Sequence, residues 1–461
     1  SKYRKKKKKH FFFNLGCSFG FGFFLFGNYW ISISLTHDEM FKHLIPFAIV
    51  LIPLFLSIFF GLAILLAGPY VEKSFFFILL FSLVFSIFEF LRGSLLTGFP
   101  WNLISYTWSW SLEFIQILSL IGTYALSLIS ITFFSLPFLF FEKKIYKKNI
   151  ILLLSFIFIF IGNYFYGLYN INRGSYNLSP GITVKIISPN FSLKEYNNKS
   201  EIDQLKRLIK ISDPKKNKKT LFIWPEGIFY ESYLQDIAQY KNLFADKFTK
   251  DHLIILGVKS FSPEESSKYF NSLVVLNNKL EVLNIYNKIN LVPFGEFLPF
   301  ENFLSRFGLK KITSGYNSFS PGHTREVINL GNTFSDKLIL PLICYEIIYS
   351  GKIKKENQYP DLVVNISEDG WFGESIGPNQ HFVKAIYRSV EEGVFIARSA
   401  NKGISAFIDP NGKVIKSLNA GESGSIELNF PSFSNNTLFS KYKNKIFYLI
   451  IFLYMFLILI F

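Results

Sequence analysis

Cysteine is scarce, with two residues in a chain of 461. Cys17 lies in an apolar run with the character of a membrane helix, and Cys344 closes a different apolar run. A disulfide between them would need a lipid-embedded partner, so Cys344 is expected to be a free thiol. Histidine is scarce too, at six, and the His and Cys positions are too scattered along the sequence for a zinc site. No metal is expected. No glycine-rich phosphate loop and no dinucleotide fingerprint occur, so no cofactor is expected either. Internal repeats are missing. Acidic residues are outnumbered, 33 against 49 basic ones, for a net charge of +16. No nucleic-acid recognition module accompanies that excess, and basic loops beside membrane helices account for much of it.

Phenylalanine, by contrast, is abundant at 56 residues, and half of all residues are hydrophobic. A wholly soluble protein is excluded. Apolar runs long enough to cross a bilayer, at roughly 20 residues each, lie at about 11–35, 43–68, 75–92, 113–140, 148–168 and 446–461. Seven basic residues precede the first run, Lys2 and Arg4 through Lys9, and read as a cytoplasmic anchor. No small-residue cleavage site ends that run, which argues against a signal peptide. Five crossings from inside place residues from about 170 onward outside the cytoplasm. The basic stretch from Glu142 to Lys148 falls inside, as it should, whereas Lys441, Lys443 and Lys445 conflict with the scheme. Glu89 and Arg92, three apart on a helix, are expected to form a structural ion pair near the bilayer edge. Trp101, Trp108 and Trp110 suit an interfacial belt.

Between about 171 and 440 the texture changes. Short apolar runs resemble strands: Ile182–Ile187, Leu221–Trp224, Leu253–Val258, Ser272–Leu276, Val282–Tyr286, Leu338–Ile343, Leu362–Ile366, Gly393–Arg398 and Ile404–Asp409. Helices are predicted over Lys199–Ile211, Tyr233–Phe248 and Asn379–Glu392, and a hairpin turn at Pro410–Lys413. The pattern is α/β plus membrane helices. Three domains follow: a helical bundle at 1–170, an extracytoplasmic domain at 171–440, and a last membrane helix at 441–461.

Three of these runs end in reactive side chains. The run Leu338–Ile343 leads into Cys344, Leu221–Trp224 into Glu226 after Pro225, and the strand-like run from Glu281 ends at Lys288. If the strands lie side by side in one sheet, the three side chains converge at one edge. A carboxylate could then take the thiol proton and an ammonium could stabilise an oxyanion. Taken alone, Cys344 also fits a small buried hydrophobe, and Lys288 a solvated lysine.

The wider motifs narrow this. Trp224-Pro225-Glu226, Tyr286-Asn287-Lys288, Val292-Pro293-Phe294-Gly295-Glu296-Phe297-Leu298-Pro299, Ile343-Cys344-Tyr345-Glu346 and Trp371-Phe372-Gly373 resemble the nitrilase, or carbon–nitrogen hydrolase, superfamily. With membrane helices on both sides, the chain resembles the apolipoprotein N-acyltransferases. The resemblance runs from about Gly20 to the C-terminus. It implies a four-layer αββα sandwich set before the last membrane helix, and an acyltransferase with Cys344 as nucleophile, Glu226 as general base and Lys288 as oxyanion holder. It also implies that Glu296 helps position the lysine. Tyr345 would lend its backbone N–H to the oxyanion, and Glu346 would fix the loop. His381 is set aside as a packing or capping residue.

The implied donor is a phospholipid and the implied acceptor a diacylglyceryl-modified apolipoprotein, at the outer face of the bacterial inner membrane. A monomer is expected. The aromatic segment 297–319 suggests a lipid-touching lid, with Phe300, Phe303 and Phe307 on one face. Two departures stand out. Tyr196 or Phe191 takes the place of a tryptophan common in the family after the first strand, and Glu368-Asp369 replaces an Asn-Asp. The family usually carries two further spans upstream, which leaves a fragment or a shorter variant open.

Overall fold

The computed structural model describes residues 2–70, 75–141, 147–173, 177–193, 200–262, 268–304, 306, 311, 318–432 and 436–460. Its first third is helical: α1 (Lys2–Asn28), α2 (Ile45–Ala67), α3 (Phe75–Arg92), α4 (Leu118–Ser135) and α5 (Lys147–Arg173). Among the described residues, five helical stretches are long and apolar enough to cross a membrane: Lys9–His37, Glu39–Tyr70, Phe75–Arg92, Leu118–Phe140 and Ile150–Arg173. Helices that are apolar around their whole circumference need lipid or protein on every side. A shorter apolar helix, α8 (Lys445–Ile460), closes the chain and packs Phe447 and Tyr454 against α3 and α4.

Two sheets follow. One joins β1 (Leu178–Ser188), β2 (Lys219–Ile223), β3 (Phe229–Tyr233), β4 (His252–Phe261), β5 (Tyr269–Leu276), β6 (Val282–Asn287) and β13 (Gly424–Pro431). Its order is β13-β1-β2-β4-β5-β6, with β3 paired to β4. The other joins β7 (Ile328–Asn329), β8 (Leu338–Ile343), β9 (Leu362–Glu368), β10 (Phe395–Asn401), β11 (Ser405–Ile408) and β12 (Val414–Leu418), in the order β12-β11-β10-β9-β8-β7. The parallel strands β8, β9 and β10 are buried almost throughout, as expected of a sheet covered on both faces.

The sheets pack face to face. Val184, Ile186, Leu221 and Ile223 share one core with Leu340, Leu342, Val363 and Ala397. Outside the first sheet, Phe222, Trp224 and Ile254 meet Leu205 and Leu208 of α6 (Glu201–Ser212). Outside the second lies α7 (Gly377–Glu392), opened by Pro378 and closed by Gly393 at φ 64°. The layers run α–β–β–α, as the motifs implied.

Local expectations fared unevenly. The turn Pro410–Lys413 joins β11 to β12, with Gly412 at φ 81°. The helix expected over Tyr233–Phe248 is mostly something else. Tyr233 ends β3, the Leu234 N–H still bonds to Lys259 O, and only Lys241–Ala245 is α-helical. The apolar spacing there serves packing under the sheet rather than a helix face. Trp101 and Trp108 are buried, not interfacial; Trp101 stacks on Phe99, meets Trp30 at a tilt and donates to Gln380, while Trp110 alone of the three is exposed. Glu89 and Arg92 do pair, at 4.0 Å, and they also organise the loop that follows. Arg92 donates to the carbonyls of Phe99 and Asn102, and Glu89 accepts from the Ile104 N–H.

Candidate active site

Glu226 follows β2 on a turn that presses hard against β4. A Cβ on Gly257 would lie 2.7 Å from Glu226 Cα, so only glycine fits at that crossing. The carboxylate is buried. Its Oε1 accepts from Asn271 Nδ2 at 2.7 Å and lies 3.3 Å from Lys288 Nζ, and its Oε2 accepts from the Glu368 N–H at 3.0 Å. Lys288 is the residue after β6, held by its N–H on Asn271 O. Its Nζ lies 2.9 Å from Glu296 Oε1. Glu296 accepts in turn from Asn271 Nδ2 at 2.7 Å and from the Val292 N–H at 2.8 Å. Burial works to lower the Lys288 ammonium, but Glu226, Glu296 and Cys344 more than offset it, and the group is held well above the usual lysine range.

Cys344 sits at the end of β8 with φ 47°, the left-handed region that side-chain-bearing residues avoid. Burial and the nearby Glu226 charge push its thiol well above the ordinary range, while Lys288 pulls the other way. It therefore rests as a thiol. The three residues converge, but not from one sheet. Glu226 and Lys288 leave the seven-stranded sheet and Cys344 leaves the other, so the site lies across the sandwich end. The one-sheet expectation is corrected on that point: Cys344 is carried by the opposing layer.

Glu346 ties the two halves together. It accepts from the Ile343 N–H through Oε2, and from Tyr286 Oη, the Ile289 N–H, the Asn290 N–H and Arg325 Nη2 through Oε1, at 2.5–3.2 Å. The Tyr345 hydroxyl donates to Gly98 O at 3.0 Å, reaching the membrane bundle. A cleft of ≈ 590 Å³ opens alongside, lined by Thr97, Ile289, Leu291, Phe297, Phe319 and Tyr349 among others.

Behind Cys344 stands a group that sequence separation had hidden. Ligand atoms of Cys344, Asp369 and His381 lie within 4.8 Å of one another. His381 is wholly buried between Trp101 and Phe372, with ring nitrogens 3.0 Å from Asp369 Oδ1 and 3.3 Å from Cys344 O. The donor set does not fit a cation. Arg398 Nη2 already sits 2.7 Å from Asp369 Oδ2 and 3.1 Å from His381 Nδ1. Burial and that guanidinium lower the imidazole to about 4, leaving it neutral.

These motifs match known proteins along most of the chain. Residues 2–136 match the apolipoprotein N-acyltransferase N-terminal domain, and residues 193–430 the carbon-nitrogen hydrolase family. A protein named apolipoprotein N-acyltransferase from Rhodopseudomonas palustris is 30% identical over 442 residues, spanning 92% of this chain and 81% of that one. Its namesake from Rickettsia prowazekii is 32% identical over 438 residues, spanning 93% and 85%. The chain belongs to the apolipoprotein N-acyltransferase family.

Within this apolipoprotein N-acyltransferase fold, two sequence departures have a place. Glu368 bonds to Asn401 Nδ2 and the Gly370 N–H, and its own N–H holds Glu226. Burial, chiefly, raises its carboxyl to about 8. Phe191 is buried against Asn401 rather than turned to the site, and Tyr196 lies outside the described residues. Phe300, just before the short helix Glu301–Leu304, and Phe303, within it, are 75% and 59% exposed, while Phe307 lies outside the described residues. Asn271 and Arg325 escaped the sequence reading. The polar pair Asn271-Ser272, inside an otherwise apolar strand, was the available signal for the first.

Proposed function

We propose that the protein transfers an acyl chain from a phospholipid to the α-amino group of a diacylglyceryl-cysteine apolipoprotein, through a thioester on Cys344. The observation that carries this is a strained, buried Cys344 facing a lysine held between two carboxylates, on a domain joined to membrane helices. Glu226 accepts the thiol proton as Sγ attacks the ester carbonyl. Lys288 stabilises the oxyanion, joined by the Tyr345 N–H, and a lysophospholipid alcohol leaves with the proton from Glu226. The acceptor amine then attacks the thioester and gives a proton to Glu226; the C–S bond breaks, Glu226 returns that proton to Sγ, and Cys344 is restored as a thiol as the amide departs. Glu296 and Asn271 keep the lysine and the base in register, and Glu346 and Arg325 fix the loops that carry Lys288 and Cys344. The domains divide at about 170 and 440, with the catalytic part outside the cytoplasm. One chain furnishes every residue of this scheme, in keeping with a monomer.

Mass spectrometry of the purified protein after exposure to phospholipid tests the reading. An acyl mass on the peptide carrying Cys344, discharged by a lipid-modified N-terminal cysteine peptide, is expected. Ammonia release from small amides with no such adduct would point to a water-using amidase instead.

A further inference from the structure

A side-chain-bearing residue keeps a left-handed backbone such as that of Cys344 only where its surroundings over-determine it. Beside Glu346 and His381, the residues after Cys344 contribute to that constraint, and part of what holds them comes from α7 and the membrane bundle. The Tyr349 hydroxyl donates to Thr97 O at 3.0 Å. Ile348 O accepts from Arg388 Nη1 at 3.1 Å, and Ser350 Oγ donates to Glu391 Oε1 at 2.7 Å. Arg388 and Glu391 lie in the second half of α7, and both continue into membrane helix α4. There Thr123 donates to Glu391 Oε1 twice, from N at 2.7 Å and from Oγ1 at 2.5 Å, and Thr123 Oγ1 accepts from Arg388 Nη2 at 2.5 Å.

Thr123 is available for this because α4 breaks one residue earlier. Gly122 has φ 76°, and a Cβ there would lie 2.0 Å from Phe439 Cε2. The break frees the Thr123 N–H from the helical ladder, and the carboxylate of Glu391 acts as its cap. Thr123, Ser350, Arg388 and Glu391 are all buried, so water does not compete for these bonds.

We propose that Thr123 is a positioning residue for the transfer reaction: from inside the membrane bundle it fixes Arg388 and Glu391, and through them the segment 348–350 that holds Cys344. It touches no reacting atom. The proposal rests on Cys344 being the nucleophile.

The test uses the full chain with Cys17→Ala, so that Cys344 is the one remaining thiol. Thr123→Val keeps the shape and loses the hydroxyl; Thr123→Ser keeps the hydroxyl. Thr123→Val is expected to slow single-turnover acylation of Cys344 about tenfold or more. It should also move the pH midpoint of Cys344 alkylation by iodoacetamide and leave the phospholipid KM within about twofold. Thr123→Ser should restore both the acylation rate and the alkylation midpoint. A valine variant that only melts earlier, with an unchanged alkylation profile in its folded fraction, overturns the proposal. If that variant does not fold, Ser350→Ala decides: it removes another bond to the same carboxylate oxygen, and a shifted profile supports the clamp while an unshifted one refutes it. Retained transfer by Cys344→Ser would instead refute the nucleophile, and the alkylation arm would still report on Thr123.

Discussion

Lys288 Nζ lies 2.9 Å from Glu296 Oε1, with both side chains almost wholly buried. Eight residues of sequence separate them, and the turn that closes the gap is fixed by the Val292 N–H on Glu296 Oε2. Glu296→Gln keeps the size of the side chain and removes its charge. It should lower kcat by about 10²-fold or more, because a lysine that loses a fixed carboxylate is free to tilt from the oxyanion position. Glu296→Ala should also cost about 3–5 kcal/mol of stability by breaking a buried pair. Steady-state kinetics and thermal melting, run side by side, check both.

Cys344→Ser should abolish transfer, by on the order of 10³-fold or more, since a hydroxyl beside Glu226 is far less ionised than a thiol. Activity near that of the parent would remove Cys344 from the mechanism. Glu226→Gln makes the opposite signature visible. The Glu226 charge raises the Cys344 thiol. Its removal should therefore shift the alkylation midpoint downward even as acyl transfer is lost. Lys288→Met should move the midpoint upward.

These three positions were legible because each ends a recognisable strand inside a specific motif. Their convergence was less so. Whether Leu338–Ile343 pairs with Leu221–Ile223 or faces it across a core depends on contacts more than a hundred residues apart, and strand pattern alone does not carry that. The partners of Glu346 show the same limit. Tyr286 and Arg325 lie 60 and 21 residues from it, with nothing local to mark them. Tryptophan in a membrane protein suggests the interface, yet Trp101 is enclosed by Trp30, Phe372 and His381, rings from two distant parts of the chain. The apolar membrane runs needed no tertiary information, and their helices fall close to the expected limits.

Glu368 gives a pH prediction with a definite sign. Its carboxyl is raised to about 8 in the folded protein, chiefly by burial, against about 4.3 unfolded. Its contribution to stability is thus fully present below pH ~4.3 and is lost progressively as pH rises towards 8. Glu368→Gln should flatten the fall in stability between pH 5 and 8. Denaturant melts at several pH values read this directly, and parallel curves for the two proteins would sink the assignment.

Membrane sidedness can be read with an impermeant amine label on whole cells. Lys288 is buried and is a poor reporter, so exposed Lys279, at the far end of β6, serves instead. Lys279 should be labelled from outside and Lys9 only after permeabilisation. Labelling of Lys9 but not Lys279 on intact cells would invert the arrangement.

The aromatic segment after Glu296 yields the last prediction. Phe300 and Phe303 stand largely exposed at the edge of the site, near a cleft that Phe297 and Phe319 help to line. Fully burying one such ring is worth about 1.5–3 kcal/mol. Two rings so largely exposed are costly unless lipid or substrate covers part of them, as the proposed transfer reaction would require. Phe300 has φ 51°, so the chain is turned sharply to present this face. If the rings dock the donor, Phe300→Ser with Phe303→Ser should weaken use of a two-chain phospholipid by about tenfold or more, through KM rather than kcat. A short soluble thioester needs no lipid dock and should lose little. Kinetics with both donors separate the cases. Equal losses would make the segment a structural part of the fold, because a defect in Lys288 or Glu296 placement would slow every donor alike.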